Sequence, residues 1–495
     1  MLFWEEQLSS ANDVACGSCH DTDSGGDPRD PAAFVHPGFD GLFGTDDDVF
    51  GSGGVRSADS AGNYEPSALF GFETQVTGRT AQTTFMAAYF DELFWDGRAG
   101  SAFVDPETGE VVIAAGGGLE SQAVEPLLSP VEMSNEGRTW AEITGKLAAV
   151  QPMKLAGNLT PDIQAALDDP TTDSYPELFA AAFPADPAIS ARNIGFALAS
   201  YQRTLIPDDT PYDRFLDGDL DALTPAQQNG LAVFNETDPG GGRCVLCHTD
   251  PLFSDDLFHN VGRAPSLWDL GRAPISMDPA DRGKFKTPSL RNAGRRNRFF
   301  HDGVLTGFGQ VTAFYIQGGD FDDNLDPLMM ELTLAGQDRQ DLADFIENGL
   351  TDARAVNGEA PFDRPSLFRE WFPDNPTFIG EGVAGTGGFV PRMIADAPPS
   401  LGTPGFKVGV SDALGGALAF VRVGTVGVGA TLEGPITLGG EPGEAGAGHG
   451  TFFYELPDDP GMIGQVMRFE WIIPDAGSPA PDGRARSPVA QFELF

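Results

Sequence analysis

Apolar side chains return every three or four positions through residues 190–205, where Ile194, Leu198, Tyr201 and Leu205 follow one another behind Ser190. That period is one face of an amphipathic helix, and a serine just ahead of it is an N-cap. A second helix is predicted at TPAQQNGLAVF, where Thr224 caps and Pro225 takes the first turn, the one place where a missing N–H costs nothing. QDLADFIENGL reads as a later amphipathic helix, and TFMAAYFDELFWDG and TWAEITGKLAAV supply helical stretches nearer the N terminus. Beyond ADAPPSLGTPGF the period drops to two. Met467, Phe469 and Trp471 alternate with Arg468 and Glu470, and FKVGV, LAFVRVG, TFFYEL and QFELF behave alike. Residues 396–495 are therefore predicted to form a small β-sandwich behind a proline-rich linker.

At 495 residues the chain exceeds what one core fills, and about three domains are expected. The pattern divides it into residues 1–185 and 186–395, two units that make the chain mostly α, followed by the sandwich at 396–495. A Gly- and Asp-rich loop runs from Gly25 to Gly62, and loops of that length are usually functional or mobile. No apolar run approaches the roughly 20 residues of a membrane helix, so the chain is expected to be soluble and not membrane-spanning.

Charge narrows the choice of partners. Lys and Arg number 30 against 73 Asp and Glu, a formal charge of −43. A field of that sign repels phosphate backbones, which excludes nucleic-acid binding, and it steers basic partners inward. A solvated acidic surface with no specific partner is an equally good reading of the same numbers.

All four cysteines lie in two C-x-x-C-H motifs, Cys16, Cys19 and His20, then Cys244, Cys247 and His248, leaving none for a structural disulfide. This spacing puts two thiols on one turn within reach of the two vinyl groups of haem, with the histidine under the iron. A zinc site would require the two pairs to converge, and a redox dithiol has no use for the histidines. Two covalently bound c-type haems are therefore expected. Haem attachment normally takes place outside the cytoplasm, so the opening MLFWEEQLSS is read as a mature or trimmed start and the protein as periplasmic or extracellular.

The segments LFWEEQLSSANDVACGSCH, LFWDGRAGS, LESQAVEPLLSPVEM, ALASYQRTLI, TPYDRFLDGD, FHNVG and FKTPSLRN with FFHDG follow one another over roughly residues 1–355. In this order they resemble the bacterial di-haem cytochrome c peroxidase family, which also contains the MauG-type enzymes. The resemblance implies two cytochrome c haem domains, the first peroxidatic and the second passing electrons. It makes Gln122 and Glu132 the residues of the peroxide pocket, with Glu132 as the acid/base, although SPVEMSNEG alone reads equally as an exposed acid. It makes Trp95 an electron relay between the haems, where the residues alone suggest core.

The resemblance implies a sixth ligand for the second haem fourteen residues after the histidine of HDG, a count that from His301 falls on Tyr315, with a buried structural tyrosine and ligation by Met329 or Met330 as the other reading. His36 stands sixteen residues after His20, the separation of a distal haem ligand in the family. The surrounding Asp40, Asp46, Asp47 and Asp48 fit a Ca²⁺ loop or a solvated loop just as well. The family's inter-haem calcium site maps onto RTAQT, with Thr80, and RNRFF, where Arg296 and Arg298 oppose a cation. Lys286 and Arg291 are candidates for haem propionates, with plain surface placement as the alternative.

As partners the resemblance implies hydrogen peroxide, a small electron-donor protein (a cytochrome c or a copper protein) and a homodimer whose interface the sequence does not mark. The expected activity is reduction of hydrogen peroxide by a di-haem peroxidase. The alternatives are a MauG-like oxidase acting on a protein and a non-catalytic di-haem electron-transfer or assembly protein.

Overall fold

A computed structural model describes residues 1–27 and 34–495, so the first part of the long Gly/Asp loop lies partly outside the described residues. Three apolar cores organise the chain. The first gathers Phe3, Trp4 and Leu8 from the N terminus with Trp140, Ile143 and Leu147 of the helix Trp140–Ala149 and Tyr175 and Phe179 of Tyr175–Ala182. Ile194 and Leu198 of Ala191–Gln202 also pack here. The helix expected to open the second unit thus closes the first core, because its apolar face matches the N-terminal aromatics. Ser190 caps it through the Asn193 N–H, as the pattern predicted.

The insertion AFVDPETGEVVIAAGGG folds as a small hairpin of Phe103–Val104 and Val111–Ile113. Phe103 enters the first core, and the Glu107 carboxylate accepts from the Ala191 N–H at 2.7 Å, a second cap on the same helix. The second core is aromatic: Tyr212, Phe234, Phe253 and Phe345 meet edge to face, with Leu342 and Leu350 around them. The helix Pro225–Asn235 carries Phe234 into it, and Thr224 and Gln227 form its capping box.

The third core lies between two antiparallel sheets. One runs in the order Gly429–Thr437, Leu418–Thr425, Val466–Pro474, Val489–Glu493, Thr377–Ile379, and the other is Arg392–Ile394, Lys407–Leu414, Ala445–Phe453. Val421 pairs with Trp471 and Val423 with Phe469, so alternate residues point inward and Arg468 and Glu470 point out, which is the period of two seen in the sequence. Two of these strands precede residue 396. Each is only three residues long, too short to show a period, and each is recognisable only by its pairing.

Helix accounts for 27% of the chain and strand for 19%, so "mostly α" overstates the helical share. The sandwich and several short hairpins supply the difference. The sandwich is sewn to the N-terminal region rather than tethered. Arg56 pairs with Asp396 and Arg392 with Glu73, the Tyr64 N–H donates to Thr451 Oγ1 at 2.8 Å, and Phe495 stacks on Phe368 at 5.2 Å. Among the described residues no helix is long and apolar enough to cross a membrane.

Candidate functional site

Cys16–Cys19 is a single helical turn held on the Trp4 ring. A Cβ on Gly17 would lie 2.2 Å from that ring, so only glycine permits the contact. The His20 ring donates from Nδ1 to Gln82 O at 2.8 Å, which leaves Nε2 free, and burial lowers its pKa to about 4, so the imidazole is neutral. Burial also pushes the Cys16 and Cys19 thiols up to about 12. Gln122 and Glu132 line the same small cavity as Cys16, Cys19 and His20, joined by Thr84 and Gln202. Gln122 comes from the helix Gly118–Val124. Glu132 is fixed through its backbone, whose carbonyl accepts from the Val55 N–H at 3.0 Å. The strand carrying Val55 comes that close because a Cβ on Gly54 would sit 1.9 Å from Val131 O. Burial raises the Glu132 pKa, and a hydrogen bond from Ser129 pulls it partly back.

The second motif faces a larger, mainly apolar cavity. The His248 ring donates from Nδ1 to Phe253 O at 2.8 Å and burial lowers its pKa, the same arrangement as at His20. Cys244, Cys247 and His248 share the wall with Phe285, Phe300, Tyr315, Met329 and Met330. Tyr315 comes from the helix Phe308–Ile316, and burial holds its hydroxyl well above the ordinary value. Tyrosine and both methionines thus reach the cavity.

Each cavity fits a c-type haem on its donor set: two unbridged thiols on one turn, a neutral imidazole whose outer nitrogen is already bonded, and surrounding apolar side chains.

Between the cavities runs the segment 80–83. Gln82 holds His20, and the same Gln82 with Thr83 lines the second cavity. Trp95, also on that second wall, donates from Nε1 to Thr80 O at 2.7 Å and meets the His301 ring at 6.4 Å. Trp95 is therefore connected through 80–83 to the first motif while facing the second. Where calcium was considered, Arg296 fills the seam: it pairs with buried Asp27 and donates to Ala81 O at 2.7 Å and Gly25 O at 3.5 Å. These oxygens are engaged by a guanidinium, and the added charge opposes a cation.

Three expectations change. His36 does not face the first motif. It lies on a short strand paired with Val49–Phe50, its Nδ1 accepts from the Gly38 N–H at 3.1 Å, and it lines a different cavity with Arg263, Trp268 and His301. A sixteen-residue separation fixes no position once the chain turns back as a hairpin. The nearby aspartates cap their own loop, Asp47 taking the Asp40 N–H and Asp48 the Gly44 N–H, each at 2.7 Å. Arg291 does not line the second cavity; its guanidinium makes a bidentate pair with Asp213 at 2.8 and 2.9 Å and also donates to Pro207 O and Pro251 O. Lys286 does line it, but its ammonium is committed to Asp256 and Glu92 O, because burial demands a counter-charge. His259, left unassigned by the sequence, sits between Asp255 at 2.9 Å and Asp326 at 2.7 Å, and the Asp255 carboxylate foremost drives its pKa up to about 11.

Thr84 and Gln202 are the residues that sequence reasoning missed. Thr84 leaves a buried hydroxyl with no partner among the described residues, and nothing in its surroundings flags it beforehand. Gln202 was legible in principle, since it lies one turn beyond Leu198 on the predicted helix.

Residues 1–221 match the family model described as di-haem cytochrome c peroxidase. The cytochrome-c peroxidase IdrP1 of Pseudomonas sp. (strain SCT) is 27% identical over 405 residues, covering 75% of this chain and 83% of that protein. The methylamine utilization protein MauG of Methylophilus methylotrophus is 28% identical over 362 residues, covering 73% and 83%. A crystal structure of a MauG-like protein associated with microbial copper homeostasis shares the fold, with a TM-score of 0.50 at 23% identity over 73% of this chain and 90% of that one. The family model matches residues 1–221, and these relatives extend the likeness across about three quarters of the length, so over that span the chain is similar to the di-haem cytochrome c peroxidases and MauG proteins.

Proposed function

We propose that the protein is a di-haem peroxidase that reduces hydrogen peroxide in the cavity of Cys16, Cys19 and His20, drawing electrons through the cavity of Cys244, Cys247 and His248. The observation that supports this most is the convergence of Gln122 and Glu132 on the first motif's cavity and not on the second's. Haem, when bound in each cavity, supplies the redox iron. The chain's own residues do the rest. Peroxide cleavage requires a proton to move from one peroxide oxygen to the other, and the Glu132 carboxylate, whose proton affinity burial raises, accepts and returns it. The Gln122 amide orients the peroxide by donating to it. His20 and His248 are held by Gln82 and Phe253 as neutral ligands, and Trp95 with residues 80–83 bridges the two sites.

Tyr315, which lines the second cavity, would hold the haem there together with Cys244, Cys247 and His248. The donor is a small basic electron-transfer protein, steered by the net charge of −43, and the compartment is periplasmic or extracellular. The experiment is steady-state oxidation of a reduced small cytochrome by hydrogen peroxide. Turnover by the holoprotein that collapses in Glu132→Gln is expected, and equal turnover in both would remove the assignment. A MauG-like oxidation of a protein is the second reading, favoured by Tyr315 in the second cavity. Peroxide-dependent modification of a protein substrate without cytochrome turnover would select it.

A further inference from the structure

A cavity of about 200 Å³ opens where the sandwich meets the N-terminal region, walled by Ser10, Ser60, Asn135, Arg138, Lys146 and Lys407. Three cations converge there in a chain with 30 basic residues against 73 acidic ones. Each is anchored by main-chain carbonyls. Arg138 Nη1 donates to Leu8 O at 2.8 Å and Met133 O at 3.3 Å, Lys146 Nζ to Ser9 O at 2.6 Å, and Lys407 Nζ to Gly62 O at 2.6 Å. A guanidinium carries five donors and an ammonium three, so most remain unspent.

Among the described residues, no carboxylate forms an ion pair with any of the three. Glu142 is on the wall, but its carboxylate takes the Thr139 N–H and hydroxyl, both at 2.7 Å, as a helix cap. Asp13 stands nearby with its own pKa raised to about 6 by burial. Burial lowers Lys146 to about 7, with repulsion from Arg138 next, and lowers Lys407 to about 8. Neutral donors would satisfy the same carbonyls at lower desolvation cost. Clustered cations with spare donors are repaid by an anion that accepts from several at once.

We propose that this cavity binds a small, multiply charged oxyanion of the phosphate class, bridging Lys407 of the sandwich to Arg138 and Lys146 of the haem-bearing region. Chelation by both sides would make the sandwich's docking depend on the anion. None of the residues that wall this cavity lines the cavity of Cys16, Cys19 and His20, so its test is independent of that reading.

The probe is inorganic phosphate, titrated calorimetrically into the holoprotein against chloride at equal ionic strength. Saturable binding and a rise in melting temperature with phosphate are expected. Ser60→Asp, which adds a carboxylate to the wall without removing any contact described above, and Lys407→Met should each weaken phosphate binding by roughly tenfold or more. Haem absorbance and peroxide turnover should stay unchanged in Ser60→Asp. No saturable heat with the wild type, or wild-type affinity in Ser60→Asp, overturns the proposal. Because Ser60→Asp leaves the seam contacts in place, it decides the matter even if Lys407→Met does not fold.

Discussion

The two C-x-x-C-H turns are alike in their local geometry and unlike in what surrounds them. Both histidines are neutral, and both donate their outer ring nitrogen to a carbonyl at 2.8 Å. The first turn faces a small cavity with a carboxyl, two amides and a threonine hydroxyl that has no partner among the described residues. The second faces a wide aromatic and aliphatic cavity in which a tyrosine and two methionines are the potential ligands. Identical local geometry therefore specifies nothing about role. Proton-handling groups would suit a haem in the first cavity to bond breaking, and oxygen or thioether donors would suit one in the second to holding a potential.

The largest expected effect tests the first half of that contrast. Glu132→Gln should lower peroxide turnover by about 10² to 10⁴-fold, the worth of positioned acid/base assistance, and leave the second haem's spectrum unchanged. Turnover within a fewfold of wild type would erase the chemical difference between the cavities.

Next in size is Arg291→Met, which leaves Asp213 facing an apolar side chain. Breaking a buried pair by removing one partner costs about 3 kcal/mol or more, read as a lower denaturation midpoint. Both haems should remain bound. If the second haem's potential moves instead and stability does not, Arg291 belongs to the cofactor after all.

Tyr315→Met sharpens the second half. Exchanging an anionic oxygen for a neutral thioether should raise that haem's potential, with 59 mV corresponding to about 1.4 kcal/mol for one electron, and leave the first haem in place. An unchanged potential and spectrum would make Tyr315 packing and pass ligation to Met329 or Met330.

The smallest effect concerns His259. Hydrogen bonds to Asp255 foremost, and to Asp326, raise its folded pKa above the ordinary 6.5, so the folded state holds a proton that the unfolded chain releases as pH passes that value. Stability from this clamp is complete below pH 6.5 and is lost as pH rises through the folded value. The difference in melting temperature between wild type and His259→Gln should shrink over that window. A constant difference would mean that the histidine acts by packing alone.

Much of this was legible because it is local or periodic. The C-x-x-C-H turns depend on contacts four residues apart, Ser190 and Thr224 cap the helices their patterns announce, and the alternation at Met467–Ile473 is the sandwich's buried face. Gln122 and Glu132 were reached through resemblance, and the fold brings them to Cys16 by letting Gly54 pass against Val131. What failed rested on counting. His36 was placed by its distance along the chain from His20, and a hairpin turned it toward another cavity. Arg291 was placed by its charge, and Asp213, 78 residues away, claimed it.

The sequence by itself determined the two C-x-x-C-H turns, the helices that Ser190 and Thr224 cap, the period of the C-terminal strands and a strong excess of acidic residues, since each is written in spacing of a few residues or in composition. Only the tertiary structure decided that Ala191–Gln202 completes the first core, that Thr377–Ile379 and Arg392–Ile394 join the sandwich, and that Gln82 holds His20 while lining the second cavity. It also decided that three scattered cations face one another across the sandwich seam. The reason is physical: long-range contacts are selected by which apolar faces fit and which buried charges find partners. Neither is a property of any short stretch of chain.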